Sequence, residues 1–266
     1  MAYNPRKLGF VLAATDHGTM IVNRFDYRMI DQTRGYGVGF NLLENAAYDA
    51  GELTLVQHLL SCRRQYFGDG VMALDCGANI GVFTVEWAKA MTGWGSVIAF
   101  EAQERLFYAL AGNITINNCF NARAVHVALA AEPGVLRIPQ PDYLSPGTFG
   151  SLELRQTANT EFIGQTIDYS DSSLVPVRSV SIDSLELSRV DLLKVDVEGM
   201  ELAVLAGARE TIERHQPIII AERIKLREEE LASVLEAHGY QCYPMGGNLL
   251  AIHPSDKTGN HVKINP

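Results

Sequence analysis

Acidic residues and a glycine-bearing turn stand close together in the chain, and they are well suited to bind a polar ligand. An apolar run over 71–74 predicts a buried strand, which ends on Asp75. The turn Gly77-Ala78-Asn79-Ile80-Gly81 follows and opens a predicted helix, whose first N–H groups lack intrahelical partners. Asp75 would repel a phosphate there, and it would favour a ligand that carries an ammonium, hydroxyl or sulfonium group.

A second acid ends the next predicted strand. The strand Ser96–Phe100 leads into Glu101, where a carboxylate can accept hydrogen bonds from both hydroxyls of a ribose. The dinucleotide fingerprint G-x-G-x-x-G is absent, because Asn79 stands where its second glycine belongs, and a Gly-Lys-Ser/Thr phosphate loop is also missing. A nucleoside without phosphates and with a cationic amino acid tail fits these residues, and S-adenosylmethionine is such a molecule.

Two further predicted strands end on acids. The strand 191–195 precedes Asp196 and Glu198, and the strand 217–221 precedes Glu222. Strands that alternate with helices predict a mainly parallel sheet with right-handed crossovers. Such sheets bind ligands outside the carboxyl ends of their strands, so the acids of all four strands are expected at one edge.

Three motifs taken together resemble a known family. Asp75-Cys76-Gly77-Ala78-Asn79-Ile80-Gly81, Phe100-Glu101-Ala102-Gln103 and Leu193–Glu201 look like the FkbM family of S-adenosylmethionine-dependent methyltransferases, with the resemblance covering residues 44–253. The resemblance implies an α/β fold: a three-layer, doubly wound, Rossmann-like sheet of seven strands, the class I methyltransferase fold, with an antiparallel last strand beside the fifth. It also implies methylation of hydroxyls on sugars or natural-product scaffolds.

The resemblance also implies which residues bind the cofactor. The turn would cradle the methionine moiety, Glu101 the ribose, and Ala102 and Gln103 would flank the adenine. Asn118 would lie near the adenine or simply end a helix, and Glu44 would help to bind the cofactor amine. The cofactor-binding set is thus Asp75, Gly77, Ala78, Asn79, Gly81, Glu101, Ala102, Gln103, Asn118, Asp196 and Glu44.

Methyl transfer requires the protein to align an acceptor and remove its proton. Asp196 is the candidate base, or the residue that orients the hydroxyl. Glu198 either shares this task or opens the next helix, where negative charge is favourable. Together with Glu222 these carboxylates could hold a divalent cation. No histidine or aspartate pair completes the set, so no metal is predicted.

The remaining elements follow from periodicity and turn signals. Residues 1–50 are expected to form a strand and loop extension, and residues 51–266 the methyltransferase domain, with a loop and hairpin insertion at about 131–177. The predicted strands and helices outside the motifs are strands at 8–12 and 19–22, a loop at 36–40, helices at 49–62, 82–91, 103–118 and 227–238, a third sheet strand at 124–129, and a hairpin at 241–252.

The composition of the chain limits the partners and the cellular location that can be expected for it. The net charge is −9 and no cluster of Lys and Arg stands free of acids, so nucleic acid is not an expected partner. No apolar run is long enough to span a membrane. Four scattered cysteines favour reduced thiols in a cytoplasmic protein over a disulfide framework or a zinc site. The expected acceptor is a sugar or small natural product; N-methylation of a peptide, amine or base, and a non-catalytic cofactor-binding domain, are the alternatives.

Overall fold

The structure is a computed structural model that describes residues 6–32, 34–225 and 228–262. The chain divides into two compact units. The described residues up to Tyr48 form the first unit together with Arg137–Val175. Asp49–Leu136 and the described residues from Pro176 onward form the second.

The first unit begins with a hairpin of β1 (Phe10–Thr15) and β2 (Gly18–Asn23), which confirms the two strands predicted there. A second antiparallel pair, β3 (Arg28–Met29) and β4 (Gly35–Tyr36), precedes the helix α1 (Val38–Asn45).

The loop predicted at 36–40 is wrong, because α1 begins at Val38. Gly39, in the first turn of α1, is needed because the backbone packs closely there. A Cβ on Gly39 would lie 2.3 Å from the carbonyl oxygen of Asn23. The Gly39 N–H donates to the buried carboxyl of Asp26 at 2.9 Å. The glycines of this stretch therefore mark close packing of a helix start.

The second unit contains the remaining helices and most of the strands. Its helices are α2 (Ala50–Phe67), α3 (Val82–Ala90), α4 (Glu104–Ile116), α5 (Glu201–Ala206), α6 (Arg209–His215) and α7 (Glu228–Ala237). The strands that follow β4 are β5 (Val71–Cys76), β6 (Gly95–Glu101), β7 (Ala122–His126), β8 (Ala128–Leu129), β9 (Gly134–Ile138), β10 (Val175–Val180), β11 (Leu192–Val195), β12 (Ile218–Glu222), β13 (Gln241–Met245) and β14 (Asn248–Ile252).

Seven of these strands form one sheet in the order β13-β14-β12-β11-β5-β6-β7. The five strands from β12 to β7 are parallel, and the last strand, β14, is antiparallel beside β12. This confirms the predicted fold class. The central strands are apolar on both faces, with β11 and most of β12 fully buried, as expected where helices cover both sides of a parallel sheet.

Two element boundaries differ from the predictions. The helix predicted to end at Cys62 continues to Phe67, because the polar Arg63 is buried, donating to Asp191 at 3.1 Å and to Asp256 at 2.8 Å. The third sheet strand ends at His126, and the rest of the predicted strand, β8, pairs instead with β10 in a separate sheet of order β8-β10-β9.

The final hairpin is confirmed as β13 and β14. The predicted helix at 227–238 corresponds to α7, although its predicted first residue, Arg227, lies outside the described residues. Within the described ranges, no helix combines the length and the apolar character needed to cross a bilayer.

Candidate active site

The carboxyl ends of four adjacent parallel strands bring acids to one edge of the sheet. Asp75 lies in β5 and Glu101 ends β6, while Asp196 directly follows β11 and Glu222 ends β12. These strands are neighbours in the order β12-β11-β5-β6. The sequence placed these acids correctly because the carboxyl ends of parallel strands share one edge.

The first residue of the turn after β5 can only be a glycine. Gly77 has φ of 84°, and a Cβ there would lie 1.8 Å from the carbonyl oxygen of Asp196. Asn79 also has a positive φ, 52°, which asparagine tolerates better than most residues. Gly81, with φ of 87°, is the N-cap of α3 and packs against Leu110. The turn therefore passes very close to the strand end that carries Asp196.

All five backbone N–H groups of this turn donate to protein acceptors. Those of Gly77 and Ala78 donate to the Phe100 carbonyl at 3.0 and 2.9 Å. Asn79 donates to Glu101 Oε2 at 2.9 Å, the N–H of residue 80 to Asn79 Oδ1 at 2.7 Å, and the N–H of residue 81 to the carbonyl of Ala78 at 2.8 Å. A phosphate-binding loop needs free N–H groups. This turn keeps none within its five residues.

Asp75 faces the protein interior. Its side chain accepts a hydrogen bond from the hydroxyl of Thr84, in the first turn of α3, and the residue is 1% exposed. Burial raises the pKa of Asp75, and the nearby Lys194 ammonium partly offsets this. Asp75 therefore supports the start of α3 from within, and its predicted contribution to cofactor binding stays a prediction.

Glu101 is held rigidly at the end of β6. Its Oε2 accepts the Asn79 N–H, and its Oε1 accepts the Gln103 N–H at 2.7 Å. Each carboxylate oxygen has a second lone pair, so both can still accept from a ligand hydroxyl. Burial raises the pKa of Glu101 to about 7, against the lowering effect of these backbone donors. This carboxyl is oriented in advance for a pair of hydroxyl donors.

Of the other residues predicted to bind the cofactor, two lie beside Glu101 and two lie elsewhere in the structure. Ala102 follows Glu101, and its carbonyl lies 3.1 Å from Nε2 of His126. Gln103 is buried at the N-cap of α4, so both residues stay next to Glu101. Asn118 lies beyond the other end of α4, just before β7 begins at the opposite edge of the sheet. Glu44 is an exposed residue of α1 in the first unit.

A buried lysine links the two central strands of the site. Lys194 is 4% exposed, lies opposite Asp75 in the β5–β11 register, and donates from Nζ to Asp196 Oδ2 at 2.7 Å. Burial alone would lower the pKa of Lys194. The carboxylates of Asp196, Asp75 and Glu52 raise it by more than burial lowers it, so the pKa of Lys194 lies above its usual value. Lys194 is therefore a fixed positive charge beneath the acids.

Three carboxylates converge beside this lysine, and we call Asp196, Glu198 and Glu222 the carboxylate cluster. One oxygen of each lies within 4.8 Å of the others. Glu198 is paired with Lys225 at 2.9 Å, and burial and the carboxylate of Glu222 raise the pKa of Glu198 well above its ordinary value. Burial, followed by the charge of Asp196, raises the pKa of Glu222 to about 8. Oε2 of Glu222 is buried and has no hydrogen-bond partner among the described residues.

The loop after β11 places Glu198 in this cluster. Glu198 and Gly199 both have positive φ, 54° and 92°. Glu201, at the start of α5, accepts the Val197 and Gly199 N–H groups at 3.1 Å each and so fixes the loop. The last acid of the sequence motif is thus structural, while Glu198 turns back toward Glu222.

Comparison with known proteins agrees with the predicted family. The model of the family described as "Methyltransferase FkbM domain" matches residues 75–242, more than half of the chain. The chain belongs to the FkbM methyltransferase family.

Two curated proteins to which this chain is similar are named methyltransferases. "Methyltransferase sdnD" of Sordaria araneosa is 31% identical over an alignment of 156 positions, which covers 52% of this chain and 60% of that protein. "Methyltransferase 1" of Beauveria bassiana is 29% identical over an alignment of 150 positions, which covers 53% of this chain and 59% of that protein. The matches thus span about 60% of the length of these relatives.

Among solved structures, this chain matches that of "Methyltransferase FkbM" from Methylobacillus flagellatus. That protein is 16% identical, with a TM-score of 0.46, over 72% of this chain and 48% of the other.

Two polar residues beside the carboxylate cluster were not predicted from the sequence. Glu52, in the first turn of α2, contributes negative charge next to Lys194 and accepts from Asn248 Nδ2 at 2.6 Å. Asn248 lies opposite Glu222 in the β12–β14 register. The acid at the start of α2 looks like ordinary helix capping in the sequence. Only the fold shows that this helix begins beside the carboxylate cluster.

Proposed function

We propose that this chain is an S-adenosylmethionine-dependent methyltransferase that methylates a hydroxyl of a sugar or a small natural product. The observation that carries the proposal is the turn 77–81, whose N–H groups are all used internally, beside the preoriented Glu101. This pairing suits a nucleoside with free ribose hydroxyls and no phosphate. Membership of the FkbM family supports the same cofactor.

The residues at this edge fit the cofactor in their chemistry. Gly77 has no Cβ, so the turn packs directly against the carbonyl oxygen of Asp196, which brings the turn and the carboxylate cluster together. Glu101 would bind the ribose, with Ala102 and Gln103 beside it, and the turn would bind the amino acid part. When bound, the cofactor supplies a methyl group on a positively charged sulfur, for which the negative charges of this edge are favourable. Asp75 would act indirectly, by fixing the turn through Thr84.

The carboxylate cluster would remove the proton of the acceptor. A carboxyl is a more effective general base the closer its pKa lies to the pH at which the enzyme works, and burial has raised the pKa of Glu222 to about 8. Its buried Oε2 is available to accept a proton, whereas Asp196 is held by Lys194. We therefore assign the base to Glu222, with Asp196 and Glu198 orienting the hydroxyl and sharing the proton. Two of the three acids already have lysine partners, which favours proton transfer over metal binding.

A base of this kind supports oxygen as the acceptor atom. An alcohol must lose its proton during attack, so it needs a basic carboxyl, whereas a neutral amine already has a free lone pair. N-methylation of a neutral amine would not require such a base.

All four cysteines are free thiols, which supports a cytoplasmic location. We further propose that residues 51–266 are the methyltransferase domain, with 1–50 as an extension and 131–177 as an insertion.

Calorimetric titration with S-adenosylmethionine tests the cofactor assignment. We expect binding to the wild-type chain, strongly weakened binding to Glu101→Ala, and unchanged binding to Glu104→Ala, which removes a neighbouring, partly exposed acid of α4. Circular dichroism of the three proteins checks that each is folded. Absence of heat with the folded wild type would overturn the enzyme proposal.

Methyl transfer to a panel of sugars, polyketide alcohols and amines then tests the acceptor and the base. Glu222→Gln should lower kcat by about a hundredfold or more while cofactor binding is retained. Transfer to amines alone would contradict the oxygen assignment. Cofactor binding without transfer to any acceptor class would favour a non-catalytic domain.

A further inference from the structure

We infer that the second unit contains a zinc site formed by His58, Cys62 and His261, outside the carboxylate cluster. A nitrogen or sulfur donor atom of each of these residues lies within 4.8 Å of the other two. Sulfur and imidazole nitrogen together are the ligands that zinc prefers. The inference does not depend on the proposed methyltransferase activity, because it shares no residue with that site.

The helix α2 supplies two of the donors at the spacing that puts them on one face. His58 and Cys62 are four residues apart, about one turn of helix. Cys62 Sγ lies 3.7 Å from Nε2 of His58. Zinc bonds of about 2.3 Å to sulfur and about 2.0 Å to nitrogen at a tetrahedral angle place these two atoms about 3.5 Å apart. The pair therefore already has the separation that one shared zinc ion requires.

The third donor is brought to α2 by a buried ion-pair network. Arg63, next to Cys62, donates to Asp256 at 2.8 Å and to Asp191 at 3.1 Å. Asp256 caps the short 3-10 helix Lys257–His261. The position of His261 beside α2 thus follows from a network that is itself fully buried.

Nearby side chains orient the two imidazoles. The Tyr66 hydroxyl, one turn after Cys62, lies 2.7 Å from Nε2 of His261. Metal-binding histidines usually make a hydrogen bond through the ring nitrogen that does not bind the metal, and Tyr66 offers such a partner. The rings of His58 and His261 meet edge to face with centroids 5.9 Å apart.

The burial of the donors matches this role. Cys62 is 3% exposed, while both histidines are exposed, so the sulfur forms the floor of a site that is open to solvent. Zinc binding would displace the thiol proton to solvent and leave the fourth position to water. The ion would then pin the segment around His261 to α2. The spacing of the cysteines does not indicate this zinc site, because one of its ligands comes from a distant part of the chain.

Titration of tag-free, metal-depleted protein with zinc tests the site. We expect one tight site per chain in the wild type, a rise in the unfolding midpoint on zinc addition, and affinity reduced roughly tenfold or more in His58→Gln and in His261→Gln. Both replaced side chains are exposed, so these variants should fold. His238→Gln, which removes a histidine of the same unit outside the site, should bind zinc as the wild type does.

Cobalt substitution gives a second readout that a surface histidine pair would not produce. A thiolate-to-cobalt charge-transfer band should appear in the near ultraviolet with the wild type and with Glu222→Gln, and it should be absent from Cys62→Ser. Equal zinc affinity in the wild type and both histidine variants would overturn the inference. So would a cobalt spectrum without the thiolate band.

Discussion

Replacing Glu222 by glutamine should stabilise the folded chain at high pH and change little at low pH. Burial, and then the charges of Asp196 and Glu201, raise the pKa of Glu222 from 4.5 to about 8 in the folded chain. A raised pKa means that the folded state holds the proton more tightly than the unfolded state. The resulting stability is fully present below about pH 4.5 and is lost as the pH rises through about 8. Glutamine carries no charge and avoids this loss.

The magnitude follows from the difference between the two pKa values of Glu222. Each pH unit between them corresponds to about 1.4 kcal/mol, so the upper limit is about 5 kcal/mol. Glu222 is only partly buried, and its proton is coupled to Glu198, so solvent and rearrangement of protons reduce the effect. We expect Glu222→Gln to be about 2 kcal/mol more stable than the wild type at about pH 9, and nearly equal to it at about pH 5.

Urea unfolding at a series of pH values measures this difference, with EDTA present so that no cation occupies the carboxylate cluster. Glu236→Gln, which replaces an exposed acid on α7, is the matched control and should show no comparable pH dependence. A difference between Glu222→Gln and the wild type that does not change with pH would refute the reasoning. A variant less stable than the wild type at high pH would refute it equally.

Three other changes probe the rest of the site. Cofactor affinity should fall by up to about tenfold per pH unit below pH 7, because burial raises the pKa of Glu101 to about 7 and only its charged form accepts both ribose hydroxyls; titrations of Glu101→Gln should lack this slope. Lys194→Met should lower the free energy of unfolding by about 3 kcal/mol or more, since it leaves three carboxylates without their buried cation. A loss below about 1 kcal/mol in urea unfolding would contradict this role. Gly77→Ala should cost about 2 kcal/mol or more and weaken cofactor binding, because its Cβ would meet the backbone of β11. Gly93→Ala, at a similar φ with open space around it, should cost only about 1 kcal/mol, and equal losses in the two variants would show that strain in φ alone matters.

The arrangement of the site could be predicted from the sequence where the fold itself sets the geometry. Parallel strands put their carboxyl ends at one edge, so Asp75, Glu101, Asp196 and Glu222 could be placed there from their positions at strand ends. The predicted order of the last strands is likewise confirmed by the pairing of β14 with β12.

The orientation of individual side chains could not be predicted in this way. Whether an acid faces a ligand or the interior depends on packing, and Asp75 proves to be buried against Thr84. The base assignment also depends on three-dimensional charge, because Asp196 is neutralised by Lys194 while Glu222 keeps an unpaired oxygen among the described residues. Asn118 shows a third limit. It follows the end of α4, whereas Glu101 and Gln103 lie at the start of that helix, so Asn118 is a full helix length away from them.

Contacts between residues far apart in sequence were the hardest to foresee. Arg63 looks like the polar end of a helix until Asp256, almost two hundred positions later, is found beside it. The same long-range contact brings His261 to His58 and Cys62. Periodicity describes single elements, and it is silent about which distant segment completes a cluster.

A crystal structure with S-adenosylhomocysteine tests the central claim most directly. We predict that both ribose hydroxyls lie within hydrogen-bond distance of the Glu101 carboxylate, with the sulfur facing the carboxylate cluster. The account is contradicted if the ligand binds away from Glu101. It is equally contradicted if Glu222 and Asp196 both lie more than about 8 Å from the sulfur, beyond the reach of a near-attack arrangement.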